Sequence, residues 1–160
     1  MADMLVNLLS VQEDTPLCRC LEESGIVIRR AMAPDKLCVV DWVQQNFGAA
    51  NAGECDVCFS QKPVSCLIAT KGSEILGFAC YEATARGFFG PTGVLESQRG
   101  LGIGKALLIK ALLSMREMGY VYAVIGGVGP RTFYEKTVGA VLIENSTPGI
   151  YRDYLGGMAK

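Results

Sequence analysis

The 160-residue sequence predicts a mixed α/β fold, a sheet with helices packed on its faces. Three observations carry that expectation. Short β-branched runs alternate with helix-patterned segments. Tight turns rich in Gly, Ser and Pro separate the middle runs, as in a meander. A glycine-dense loop near residue 100 leads straight into an apolar helical stretch.

Ile26 to Ala31, rich in β-branched residues, predicts the first strand. Pro34-Asp35 opens a helix with Leu37, Val40, Trp42 and Val43 on its apolar side, ending before Gly48. Residues 48–62 hold Gly, Asn, Ser and acids, which predicts a loop or loose helix and a candidate substrate surface. Val64 to Thr70 is the second strand, Lys71-Gly72-Ser73-Glu74 a hairpin turn, and Ile75 to Thr84 the third strand. Arg86-Gly87 turns the chain into a fourth strand, Phe88 to Leu95. Gly90, Pro91 and Gly93 weaken that strand and predict a bulge or a splayed edge.

A helix from Ile103 to Met118 follows the glycine loop. Leu107, Leu108, Ala111, Leu112 and Met115 make it apolar around much of its circumference, so burial is expected, and Gly119 stops it. Val121 to Ile125 reads as a short buried strand. Pro130 suits the first turn of a helix reaching about Lys136. Ala140 to Ile143 and Ile150 to Tyr154 read as two last strands around Ser146-Thr147-Pro148-Gly149. Residues 1–24 are weakly patterned and are expected to form a short helix or an arm laid on the domain. With no repeat and no linker, residues 1–160 are expected to form one domain.

Composition narrows the function. Hydrophobic residues make up 50% and charged residues 19%, with a formal net charge of -1. No strong field draws the chain to nucleic acid or an anionic membrane, so neither is expected as a partner. Met1 to Leu9 lacks the pattern of a secretory signal, and no apolar run is long enough to span a bilayer, so a cytoplasmic location with reduced thiols is expected. The 7 cysteines include Cys18-x-Cys20 and Cys55-x-x-Cys58. A zinc site would need all four ligands from cysteine, and the Cys-x-Cys half is poorly spaced, so ordinary thiols and no metal are expected. Histidine is absent, which excludes Ser-His-Asp and Cys-His chemistry and leaves acid–base work to carboxylates, Tyr, Lys, Cys or water.

Gln98-Arg99-Gly100-Leu101-Gly102-Ile103-Gly104-Lys105 is the most informative stretch. Glycines expose backbone N–H groups, and the helix start behind them adds unpaired N–H groups and a positive dipole end, which suits phosphate or pyrophosphate. A Walker A loop fails, because Ala106 follows Lys105 and Arg99 stands where the first glycine belongs. A dinucleotide fingerprint fails, because its third glycine would fall on Lys105 or Leu107. A glycine-rich turn that merely starts a helix remains open on this stretch alone.

Arg99-Gly100-Leu101-Gly102-Ile103-Gly104 also meets the pattern R/Q-x-x-G-x-G/A, and Phe133-Tyr134-Glu135-Lys136 with Gly139-Ala140 lies on the helix after the next strand. Together they resemble the two signatures of the GNAT acyltransferase superfamily, in the right order, and the element order matches from Ile26 to Tyr154. The resemblance implies a mostly antiparallel sheet splayed between its fourth and fifth strands, with acetyl-CoA as acyl donor and a small-molecule or peptide amine as acceptor. Backbone near Val94 and Leu95 would pair with the pantetheine arm. Gly100, Leu101, Gly102, Ile103 and Gly104 would hold the pyrophosphate, with Arg99 and Lys105 as added charge contacts. Tyr134 matches the position that protonates the departing thiolate; its alternative is a packed tyrosine that lines the pocket. A non-catalytic acyl-CoA-binding module is the other reading, and a homodimer is compatible with either.

Candidate bases are Glu82, Glu96, Glu54 and Asp56, none singled out by the sequence. The chain departs from the family pattern in three places. Gly126-Gly127-Val128-Gly129 stands where an Asn often helps hold the coenzyme. Gly90-Pro91-Thr92-Gly93 carries no carboxylate where some members place a base. One extra residue separates Lys136 from Gly139. Residues 46–62 and the final segment with Tyr151 and Tyr154 are expected to shape the acceptor pocket.

Overall fold

Cys66–Lys71 (β3), Glu74–Tyr81 (β4) and Phe88–Val94 (β5) form the expected antiparallel meander, joined by the Gly72 and Gly87 turns. Both turn glycines have positive φ, which only glycine adopts at little cost. This computed structural model describes residues 1–155. The other strands are β1 (Met4–Asn7), β2 (Ile26–Arg30), β6 (Tyr122–Ile125) and β7 (Val141–Leu142). The helices are α1 (Thr15–Glu23), α2 (Lys36–Phe47), α3 (Ala49–Cys58), α4 (Ile103–Glu117) and α5 (Arg131–Val138).

The strands form one sheet in the order β2-β3-β4-β5-β6-β1-β7. Neighbours are antiparallel except β5 and β6, which run parallel. Helices cover both faces. On one, α1, α4 and α5 close a core around Leu107, Leu108, Leu112, Met115, Phe89 and Tyr134. On the other, α2 and α3 pack Val39, Val43, Ala52, Cys55 and Cys58 against Ile68, Phe78 and Cys80. Phe47, at the end of α2, lies so close to β5 that a Cβ on Gly93 would stand 2.4 Å from its ring.

The N-terminal segment holds the short helix expected there, α1, but it is no arm: β1 is an interior strand bonded to β6 on one side and β7 on the other, with Met4 and Val6 fully buried. Of the loop or loose helix expected over 48–62, residues 49–58 form a helix. Ile150 to Tyr154 is not a strand but turns, with Tyr151 drawn onto Gly126 and Gly127 and its hydroxyl donating to Glu54 rather than the segment lying along the edge of β7. Of the predicted strand 140–143, Val141 and Leu142 pair. Among the described residues no helix is long and apolar enough to cross a membrane.

Candidate active site

β5 and β6 pair over two rungs, Phe88 with Val124 and Phe89 with Ile125, and then part. Beyond Phe89 the β5 backbone has β4 on one side and, among the described residues, no strand on the other. Leu95 N–H donates to the Leu76 carbonyl at 3.0 Å. Antiparallel bonding alternates along a strand, so the N–H and C=O of Val94 point the opposite way, into the gap. The structure therefore separates two residues that the sequence grouped: Val94 offers free backbone, whereas the Leu95 amide is spent on β4.

The glycine loop begins at the end of that gap. A 3-10 turn, Glu96–Gln98, lifts the chain out of the sheet, and Arg99 follows it, exposed. The amides from Gly100 through Lys105 have no hydrogen-bond partner among the described residues. Gly102 is the N-cap of α4, in the left-handed region at φ 86°, and no side chain caps the helix. A Cβ on Gly100 would meet nothing within 4 Å, so the loop is open on that side. Consecutive free amides on a helix start form a concave anion cradle.

Lys105, an expected charge contact, has a partner within the chain. Its ammonium pairs with the Asp14 carboxylate at 2.7 Å, and that contact holds the carboxyl below its ordinary range. Asp14 also accepts the Leu17 N–H at 3.1 Å as the N-cap of α1, so one carboxylate joins this helix to the loop. Leu17 packs against Gly102, where a Cβ would stand 2.5 Å from its Cδ1.

Tyr134 stands where β5 and β6 diverge. Its ring meets Phe89, a member of the last paired rung, edge-on at 6.4 Å, and Phe133 at 5.1 Å. The side chain is 6% exposed and its hydroxyl makes no hydrogen bond among the described residues. Burial raises its pKa above the ordinary tyrosine value, so the phenol stays protonated at neutral pH.

The opposite face carries a second polar group. Glu54 on α3 accepts the Tyr151 hydroxyl at 2.9 Å and the Thr84 hydroxyl. Tyr151 lies against Gly126 and Gly127 at the end of β6, and its pKa is pushed up to about 12, by burial first and then by the Glu54 charge. The other candidate bases are engaged or remote. Glu82 adopts φ 58° and holds its own turn, accepting Gly87 N–H and the Tyr120 hydroxyl. Asp56 pairs with Lys36 at 3.1 Å. Glu96 lies exposed in the 3-10 turn.

The loop after β6 is tied to the N-terminus. Gly127 N–H donates to Asp3 Oδ1 at 2.8 Å and Val128 N–H to the Ala2 carbonyl at 2.9 Å, so neither is left for a ligand. Sequence reasoning missed Asp3, whose signal lay in a segment with no periodicity.

The family model described as acetyltransferase (GNAT) matches residues 34–140. The chain belongs to the GNAT acetyltransferase family. This GNAT chain resembles a GCN5-related glucosamine N-acetyltransferase region of a fungal multi-domain GH3 β-N-acetylglucosaminidase, at 13% identity and TM-score 0.71, over 89% of this chain and 19% of that one. It also resembles a GCN5-related N-acetyltransferase from Sphaerobacter thermophilus, at 19% identity and TM-score 0.60, over 89% of this chain and 48% of that one. A Drosophila protein matches at 17% identity and TM-score 0.60, over 89% and 47%. The GNAT chain thus spans less than half the length of each of these structures, and at such identities the likeness is one of fold. No curated protein matches it in sequence.

Proposed function

We propose that this GNAT chain is an N-acetyltransferase that moves the acetyl group of acetyl-CoA to a primary amine of a small molecule or peptide. The observation that carries the reading is the run of amides from Gly100 through Lys105, without partners among the described residues, at the end of the β5–β6 gap. The amides suit the coenzyme's pyrophosphate. Val94 backbone suits an extended arm lying in the gap. About 17 Å of strand separates Val94 from Phe89, which brings a thioester at the far end of such an arm to Tyr134.

The chain's own residues then have distinct tasks. Free backbone donors on β5 stabilise the oxyanion formed when the amine attacks the thioester carbonyl. As the C–N bond forms, the amine nitrogen gives its surplus proton to solvent water; as the C–S bond breaks, Tyr134 gives its proton to the leaving sulfur and regains one from solvent. Its hydroxyl, held protonated by burial and without a hydrogen-bond partner among the described residues, is free to donate to a leaving sulfur. Glu54, on the face away from α4, supplies negative charge that attracts an ammonium before it is deprotonated.

Thermal melting tests the reading. Acetyl-CoA is expected to raise Tm well above the shifts given by NAD or ATP, through linkage. Equal shifts from all three reject a coenzyme site. Release of coenzyme A across a panel of amines then separates enzyme from binding module, because a non-catalytic module gives the melting shift with no release on any amine.

A further inference from the structure

The α2–α3 core contains a group of thiols that acetyl transfer does not use. The spacing considered in the sequence, Cys18-x-Cys20 with Cys55-x-x-Cys58, does not assemble. Cys18 and Cys20 lie on α1 over the other face, Cys20 exposed. Instead α3 brings Cys55 and Cys58 onto two neighbouring strands, where Cys66 of β3 and Cys80 of β4 stand opposite each other in register. All four are buried, each with 0% exposure. The Sγ atoms of Cys55, Cys66 and Cys80 lie within 4.8 Å of one another, and Cys55 and Cys66 are 3.9 Å apart.

That geometry matches a known metal chemistry. Tetrahedral zinc with Zn–S bonds of about 2.3 Å has S···S edges of about 3.8 Å. Cys58, one helical turn after Cys55, neighbours the Cys80 thiol, and its Sγ points toward the Tyr81 carbonyl at 3.8 Å. A second observation points the same way. Ser65, 2% exposed and beside Cys58, has the fully buried side-chain oxygen without a hydrogen-bond partner among the described residues. A buried hydroxyl of that kind needs an acceptor, and a metal-bound thiolate is one.

We propose that Cys55, Cys58, Cys66 and Cys80 form a structural zinc site that pins α3 to β3 and β4. Cys58 closes the tetrahedron by turning its Sγ from the Tyr81 carbonyl toward the other three. Binding Zn2+ to four thiols yields a tetrathiolate and releases four protons to solvent, so affinity falls as pH falls. No redox step is involved. The site has a positioning role, since Glu54 immediately precedes Cys55, and Gly53 beside it weakens the helix locally. Fixing Cys55 and Cys58 fixes the carboxylate that meets Tyr151 and Thr84.

Cobalt titration of the full chain, reduced and stripped of metal, tests the proposal. One equivalent of Co2+ is expected to give the intense visible bands of a tetrahedral thiolate site, displaced by one equivalent of Zn2+. Absence of thiolate bands overturns the site. The surface variant Cys38→Ala is expected to keep the bands, and the Cys66→Ala, Cys80→Ala double variant to lose them; bands that survive the double variant overturn the assignment. Should that variant fail to fold, zinc-edge X-ray absorption on the unsubstituted protein decides. A shell of sulfur alone at about 2.3 Å is expected, and a shell led by nitrogen or oxygen rejects the site.

Discussion

Asp14 and Lys105 face each other at 2.7 Å across the start of α4, and the pair places a carboxylate beside the amide cradle. An anionic ligand at the cradle must share Lys105 with Asp14 or displace it. Asp14→Ser keeps a side-chain oxygen for the Leu17 N–H and removes the competing charge. Acetyl-CoA is expected to bind about two- to fivefold more tightly to this variant, the scale of one exposed charge contact. Isothermal titration at low and high salt reads it, and the gain shrinks with salt. Weaker binding at low salt sinks the idea of competition.

Tyr134→Phe removes the phenol and leaves the packing on Phe89 and Phe133. For a proton donor kcat is expected to fall about 10²-fold or more, with acetyl-CoA affinity nearly unchanged. Unchanged turnover assigns Tyr134 to packing.

Two of the three raised tyrosines, Tyr134 and Tyr151, make a pH prediction, Tyr120 being the third. Burial raises Tyr134, and burial with the Glu54 charge pushes Tyr151 up to about 12. A phenol is neutral when protonated, and the folded state holds that proton more firmly than the unfolded chain. The stabilisation is complete below the ordinary tyrosine value of about 10 and is lost as pH rises through the raised values. Urea midpoints are expected to drop through that range, and Tyr151→Phe to flatten the drop. A wild-type curve no steeper than the variant's contradicts the Tyr151 shift.

Much of this was legible in the sequence, and the exceptions share a cause. The meander, α4 and the glycine loop announce themselves through local periodicity and turn residues. β1 has four residues, too few for a pattern, and becomes a strand because β6 and β7 flank it. Residues 150–154 are strand-like in composition, yet among the described residues the outer edge of β7 stays unpaired and Tyr151 rests on Gly126 instead. Within the candidate site, glycine spacing pointed to a cradle, and the family resemblance pointed to Tyr134. Neither had a means of finding Asp14 against Lys105, or Cys66 opposite Cys80, since both depend on which elements become neighbours.

The interior place of β1 is itself testable. Met4 is fully buried, whereas Leu9, a few residues on, is 66% exposed. Met4→Ala is expected to destabilise the fold by about 2–5 kcal/mol, as buried large-to-small changes do. Leu9→Ala is expected to stay within about 0.5 kcal/mol. Equal, small effects on the urea midpoint would return the segment to the role of a loose arm.

Gly93 is a glycine for space and not for φ. The Phe47 ring leaves a Cβ there only 2.4 to 2.8 Å from its carbons, and Trp42 and Phe78 pack around the same ring, limiting its retreat. Gly93→Ala is expected to cost about 1–3 kcal/mol by overpacking. Because Gly93 precedes Val94, whose backbone faces the gap, the strain also reaches the proposed arm site, and the KM for acetyl-CoA is expected to rise. Phe47→Leu in the Gly93→Ala background removes the clashing ring edge. It should recover part of the stability, although the same change alone destabilises the native chain. A double-mutant cycle measures that coupling. Purely additive losses would mean that the ring swings clear without cost and that close approach is not what holds glycine at this position.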